Sequence, residues 1–172
     1  ADAEGEEVGV DEVGYIQVKG DNIFKGYWNM PEKTKEEFTE DGYFKTGDMG
    51  KWDKDGYLSI VGRSKDLIIT GGLNVYPKEI EEVIDSISGV FESAVVGLPH
   101  PDFGEAVTAF VVKKKDPQGE RLTETQIINH LKNTIANFKV PKKVFFLDEL
   151  PRNTMGKVQK NILREKYSNI FS

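Results

Sequence analysis

The stretch Leu67-Ile68-Ile69-Thr70-Gly71-Gly72-Leu73-Asn74-Val75-Tyr76-Pro77-Lys78-Glu79-Ile80-Glu81-Glu82-Val83-Ile84 changes its hydrophobic period halfway along. Up to Val75, two short apolar runs flank Gly71-Gly72, which is the pattern of a hairpin whose turn needs residues tolerant of positive φ. Pro77 then suits the first turn of a helix. Ile80, Val83, Ile84 and Ile87 follow at i, i+3, i+4 and i+7, a single apolar stripe. Gly89 closes the helix. A strand pair passing straight into an amphipathic helix predicts a helix laid back on a small sheet.

Towards the C-terminus, Phe91–Leu98 and Ala106–Val112 are apolar runs of strand length. Thr123 with Gln126 forms a capping-box pattern, and Ile127, Ile128, Leu131 and Ile135 share one face of the helix it opens. Val144–Leu147 reads as a short buried strand, and residues 158–170 as a last helix with Ile162, Leu163 and Tyr167 inward. The order from about residue 64 is therefore β-β-α-β-β-α-β-α, an α+β unit with helices packed on a short sheet. Lys113–Glu120 reads as an exposed turn. Towards the N-terminus, Val13–Lys19 predicts a strand, Pro31–Phe38 a short helix and Tyr43–Thr46 a short extended piece. Met49–Trp52 and Tyr57–Val61 predict a hairpin around Asp53-Lys54-Asp55-Gly56. That half is mostly β. The polar segment Arg63–Asp66 is the natural boundary, dividing the chain into residues 1–63 and 64–172.

Composition bounds the function. Of 172 residues, 38% are hydrophobic and 30% charged, which describes an ordinary globular chain. No apolar run reaches the length of a membrane span. The absence of cysteine excludes disulfides, thiolate metal sites and a Cys nucleophile, and two histidines are too few for a His-rich metal site. The net charge of −6 argues against general nucleic-acid binding. The first fifty residues are strongly acidic, whereas residues 139–172 carry an excess of bases. Ala1–Val10 has neither the basic nor the apolar region of a signal peptide and reads as the interior of a longer chain. A chain without cysteine or membrane anchor fits the cytoplasm, although targeting information further upstream would not be visible in it.

Several polar segments invite a chemical reading beside a bland one. Asp48, in Thr46-Gly47-Asp48, is either a turn former or a carboxylate able to accept both hydroxyls of a ribose. Arg63, in Gly62-Arg63-Ser64-Lys65-Asp66, belongs either to a solvated linker or to a ligand grip beside a pivot. Gly71-Gly72 is a hairpin turn, or a place where a ligand can approach bare backbone. Pro151-Arg152-Asn153-Thr154-Met155-Gly156-Lys157 is either a basic loop or a mobile lysine delivered to developing negative charge. His100, between two prolines, reads as a rigid exposed turn residue. Trp28, Trp52 and the phenylalanines read as core.

Taken in order, Tyr43–Asp48, Gly56-Tyr57-Leu58, Gly62–Ile68, Gly71–Glu81 and Pro151–Lys157 resemble the C-terminal third of an AMP-forming acyl-CoA synthetase, in the superfamily that also holds luciferases and peptide-synthetase adenylation domains. The wording of Val75–Glu81 and Leu150–Lys160 is most similar to malonyl-CoA synthetases. The resemblance implies the last β subdomain of the large ATP-binding domain (1–63) followed by a mobile C-terminal lid (64–172). It implies ATP, Mg²⁺ and CoA as participants, with a small carboxylic acid, malonate by the nearest wording, as substrate. The phosphate loop, acyl pocket and magnesium ligand would lie in a missing N-terminal large domain, so the 172-residue chain is expected not to turn over alone.

Residue by residue, the resemblance makes Lys157 the catalytic lysine near the α-phosphate. Asp48 and Arg63 become ribose contacts, Lys65 the hinge, and Gly71-Gly72 the backbone path for pantetheine. No metal ligand and no nucleic-acid contact is implied within this chain. From charge alone, Lys142, with Lys139 and Lys143, is a candidate for CoA phosphates. Two other readings stay open: an adenylation domain loading a carrier-protein thiol, and a non-catalytic interaction module that keeps the fold.

Overall fold

The structure, a computed structural model, describes residues 1–171. The chain divides into two compact units, Ala1–Lys65 and a second that starts at Asp66. In the first unit, β1 (Gly14–Val18), β2 (Phe44–Trp52) and β3 (Leu58–Arg63) form an antiparallel sheet in that order. The short helix α1 (Pro31–Glu37) starts on Pro31, as expected. The two extended pieces expected at Tyr43–Thr46 and Met49–Trp52 are one strand, because β2 runs through Gly47-Asp48 and absorbs an irregularity between Met49 and Gly50. Phe24, Phe38 and Phe44 form an aromatic cluster with centroids 5.0–5.7 Å apart, in which Phe24 meets the other two rings edge-on. Expectations of burial fail for Trp28, 89% exposed, Trp52, 42%, and Phe24, 41%, and in the second unit for Phe91, Phe103 and Phe138, which are exposed as well. Trp28 lies outside any strand, next to Asn29 at φ 52°, so the alternation that buries strand residues does not apply to it.

The second unit holds the core. Its sheet runs β5 (Leu73–Val75), β4 (Ile68–Thr70), β7 (Gly104–Lys113) and β6 (Val90–His100), and β8 (Lys143–Leu147) pairs in parallel with β7. β7 is buried on both faces, which is why it reads as a continuous apolar run. Val107, Ala109 and Val111 face one cluster with Ile80 and Ile84 of α2 (Pro77–Asp85) and Ile127 and Leu131 of α4 (Glu124–Lys132). Phe110 and Val112 face a second cluster with Leu150 and Leu163, the latter from α5 (Lys160–Lys166). The helices thus sandwich the sheet, and β6 is one of its open edges.

The capping box at Thr123/Gln126 is present, with both reciprocal bonds made. Three expectations are corrected. Lys113–Glu120 is not simply an exposed turn: Asp116 caps a short helix, α3 (Pro117–Arg121), and Gly119 is buried. Ile162 is 38% exposed, because α5 is only seven residues long and presents Leu163 inward. β8 buries Val144 alone, while Phe146 stands 36% exposed under the Lys113 ammonium. His100 ends β6, and its ring lies against Phe103 and Phe171. No described helix is long and apolar enough to cross a membrane.

Candidate active site

In the first unit, antiparallel pairing sets Asp48 directly opposite Arg63. Their side chains meet across the strands, Arg63 Nε to Asp48 Oδ1 at 2.8 Å. Arg63 Nη1 also donates to the Thr46 carbonyl at 3.4 Å. The segment is pinned from beneath: Thr46 Oγ1 donates to the Ile16 carbonyl, accepts the Asp48 N–H, and Ser64 Oγ donates to the Gly47 carbonyl. The sequence thus delivers a carboxylate and a guanidinium side by side. Lys65 is exposed, within a short 3-10 turn (Ser64–Asp66), and is the last residue of the first unit.

In the second unit, the segment carrying Lys157 is a tight hairpin rather than an open loop. Arg152 and Val158 form an isolated bridge. Inside it, Gly156 N donates to the Asn153 carbonyl and Asn153 N to the Lys157 carbonyl, both at 2.9 Å. Asn153 Oδ1 accepts from Met155 N and Lys157 N at 3.0 and 2.9 Å. Gly156 takes φ 78°, the left-handed residue that such a turn requires. Lys157 is exposed, and among the described residues its ammonium has no carboxylate within ion-pair distance.

Gly71 and Gly72 form the two-residue turn between β4 and β5, with φ 57° and 80°. A Cβ on either would meet nothing within 4 Å, so the backbone there is open to approach. Gly71 N donates to the Phe103 carbonyl at 2.9 Å, and the Phe103 ring lies 4.9 Å from the Lys142 ammonium. Phe103 therefore links Lys142 to the glycine turn. The structure does not bring three free lysines together: Lys139 is bonded to both oxygens of Glu79 at 2.8 Å, and Lys143 to Glu124 at 3.2 Å. That corrects the basic surface inferred from charge and leaves Lys142 as its unpaired member among the described residues. No group of three His, Asp or Glu side chains is placed to hold a metal ion among the described residues.

Sequence reading missed Arg152, Asn153 and Glu92. The Asn-x-x-Gly spacing at 153–156 was a turn signal that a search for phosphate-seeking lysines passes over.

A strand unit with a carboxylate–guanidinium pair is thus joined through a polar turn to an α+β unit with a lysine hairpin. Residues 79–157 match the family of the AMP-binding enzyme C-terminal domain. The chain is 46% identical over 155 residues to the long-chain-fatty-acid–CoA ligase FadD13 of Mycobacterium tuberculosis, matching 90% of this chain and 30% of that protein. ATP-bound MatB from Rhodopseudomonas palustris superposes with a TM-score of 0.91 at 58% identity, covering 99% of this chain and 33% of that one. The o-succinylbenzoate CoA synthetase of Bacillus subtilis, in complex with its acyl-adenylate intermediate, superposes at 0.86 with 36% identity, over 94% of this chain and 32% of that one. The chain thus spans about 30% of the length of the curated relatives it matches.

Proposed function

We propose that the chain is the nucleotide-closing portion of an AMP-forming acid–thiol ligase, which activates a small carboxylic acid as its adenylate and passes the acyl group to CoA. In the first step the substrate carboxylate attacks the α-phosphate of ATP and pyrophosphate leaves. In the second the CoA thiol attacks the acyl carbon and AMP leaves. Two anions meet in the first step, so it requires positive charge fixed at the meeting point. The observation that carries this reading is Lys157 on its braced hairpin: a rigid backbone presents an unpaired ammonium, which costs no reorganisation when charge develops. Asp48 and Arg63 hold the ribose hydroxyls. Lys65 is the pivot of a lid made by the second unit. The ion pair of Arg164 with Asp66, at 2.6 Å, ties the residue after that pivot to α5, so motion there is carried to the helix behind the lysine hairpin. Gly71-Gly72 with Lys142 forms the CoA side. The magnesium that accompanies ATP is assigned, by the resemblance to acyl-CoA synthetases, to the large domain outside this chain. Similarity to MatB favours a short diacid such as malonate as the substrate.

The test is made in the full-length enzyme. Lys157→Ala is expected to lower acid-dependent ATP–pyrophosphate exchange about a hundredfold to a thousandfold while thioester formation from supplied acyl-adenylate persists. Equal loss of both half-reactions would remove Lys157 from the chemistry of the first.

A further inference from the structure

The peptide between Gly156 and Lys157 is gripped at both ends. Its N–H is bound by Asn153 Oδ1 at 2.9 Å, and its carbonyl accepts a hydrogen bond from Arg152 Nη1 at 2.6 Å. The other arm of the same guanidinium, Nη2, pairs with Glu92 Oε2 on β6, sixty residues earlier in sequence. Arg152 therefore ties the lysine hairpin to the sheet through two separate nitrogens, which a planar fork does without rearrangement.

The placement of Glu92 depends on one irregularity. The β6–β7 register shifts between Val90 and Glu92. Before it, Val90 faces the cluster under α2 and α4; after it, Ala94, Val96 and Leu98 face the cluster with Leu150 and Leu163. Strand alternation puts Glu92 on the same face as Ala94, the face of the lysine hairpin. Without the extra residue, Glu92 would share the face of Val90. Bulges of this kind re-aim side chains beside functional sites. Glu92 lies near Asp85, whose carboxyl is raised chiefly by burial and in part by the Glu92 charge, so Glu92 has a like charge on one side and finds its compensation in Arg152.

We propose that Arg152, anchored by Glu92, is a positioning residue for adenylation. It fixes the Gly156–Lys157 peptide and so aims the Lys157 ammonium, without touching nucleotide or acid itself. The inference rests on the reading of Lys157 given above. A lysine on a hairpin held only by its own turn would sample a wider cone, and a displacement of about 1 Å at a catalytic group can cost on the order of a hundredfold in rate.

The experiment uses the full-length enzyme with Arg152→Ala, Arg152→Lys, Glu92→Gln and the exchange Glu92→Arg/Arg152→Glu, beside Lys157→Ala. Acid-dependent ATP–pyrophosphate exchange and thioester formation from supplied acyl-adenylate are measured separately. Arg152→Ala is expected to lower kcat for exchange about ten- to a hundredfold, to leave KM for ATP within about twofold, and to leave the thioester step unchanged. Arg152→Lys, which can reach Glu92 or the Gly156 carbonyl but not both, is expected to fall between wild type and Arg152→Ala, as is Glu92→Gln. The exchanged pair restores the tie to the sheet but not the donor to Gly156, so it too should be intermediate. Should Arg152→Ala fail to fold, Arg152→Lys and Glu92→Gln carry the same comparison. Unchanged exchange in the Arg152 variants, or equal loss of both steps, overturns the positioning role while a dead Lys157→Ala leaves the underlying reading intact. Exchange that survives Lys157→Ala overturns that reading and this inference with it.

Discussion

Glu124 shows what a single carboxylate does in this fold. It opens α4 and accepts the Val144 N–H at 2.9 Å and the Lys143 ammonium at 3.2 Å, joining the helix to β8. The Val144 N–H, with a smaller contribution from Lys143, holds its carboxyl below the usual 4.5 against a modest cost of burial. A carboxyl depressed in the folded state stabilises at pH above its unfolded value and loses that contribution as pH falls through its folded value. Glu124→Gln is therefore expected to lower stability by about 1 kcal/mol at pH 7, given its partial exposure. Urea denaturation at pH 7 and at pH 3 checks this: the gap to wild type should narrow in acid, and a gap that widened would reverse the sign. At this scale the site was partly legible. Asp48, Arg63 and Lys157 stand in polar segments that each also admit a bland reading, and it was the resemblance to acyl-CoA synthetases that gave them roles. Glu92 could not be named, because nothing in sixty intervening residues tells which carboxylate reaches Arg152.

Among the elements, β6 and α5 explain where sequence periodicity succeeds and fails. The stripe Ile80, Val83, Ile84, Ile87 gave α2 directly, because one face of that helix meets one core. β6 is harder to read, since its bulge reverses the alternation and both its faces are covered. α5 is too short for its period to be decisive, and Ile162 was misplaced for that reason. What secures α5 is instead an ion pair at the sheet edge. Glu81 of α2 accepts the Val95 N–H at 2.7 Å, on the unpaired side of β6, and binds Lys160 of α5 at 2.7 Å. Both side chains are less than one-fifth exposed. The pair clips the helices of the two faces together and covers an otherwise open edge. Lys160→Met removes the cation and leaves a mostly buried carboxylate without its partner, which should cost about 1–3 kcal/mol. Glu81→Gln in the same chain removes the stranded charge, so the double variant is expected to lose less than the two single losses combined. Denaturation midpoints of the four proteins measure this; strict additivity would show that the pair does not couple the helices.

For the whole molecule, the decisive fact is how unevenly the core is shared. Among the described residues, Met49 is the one buried apolar side chain in the first unit, and all the rest belong to the second. The first unit instead exposes Trp28, Tyr57 at 71% and Ile60 at 52%. Both units were legible as secondary structure, since hairpins and strands announce themselves locally. The difference in burial was not, because alternation shows which face could be covered and not whether anything covers it. A sheet of three strands with one fully buried apolar residue has little to set against the chain entropy of its 65 residues. The second unit has two apolar clusters on a five-stranded sheet. In the 172-residue protein alone, amide hydrogen exchange is therefore expected to be slow in β6, β7, α2 and α4 and fast throughout β1, β2 and β3. Cooperative unfolding should likewise report the second unit only. A variant with Phe110→Ala, which empties the centre of one cluster, should lose about 3–5 kcal/mol of that transition without altering exchange in β1–β3. Protection of β2 equal to that of β7 would mean that the first unit draws stability from a source its own side chains do not supply.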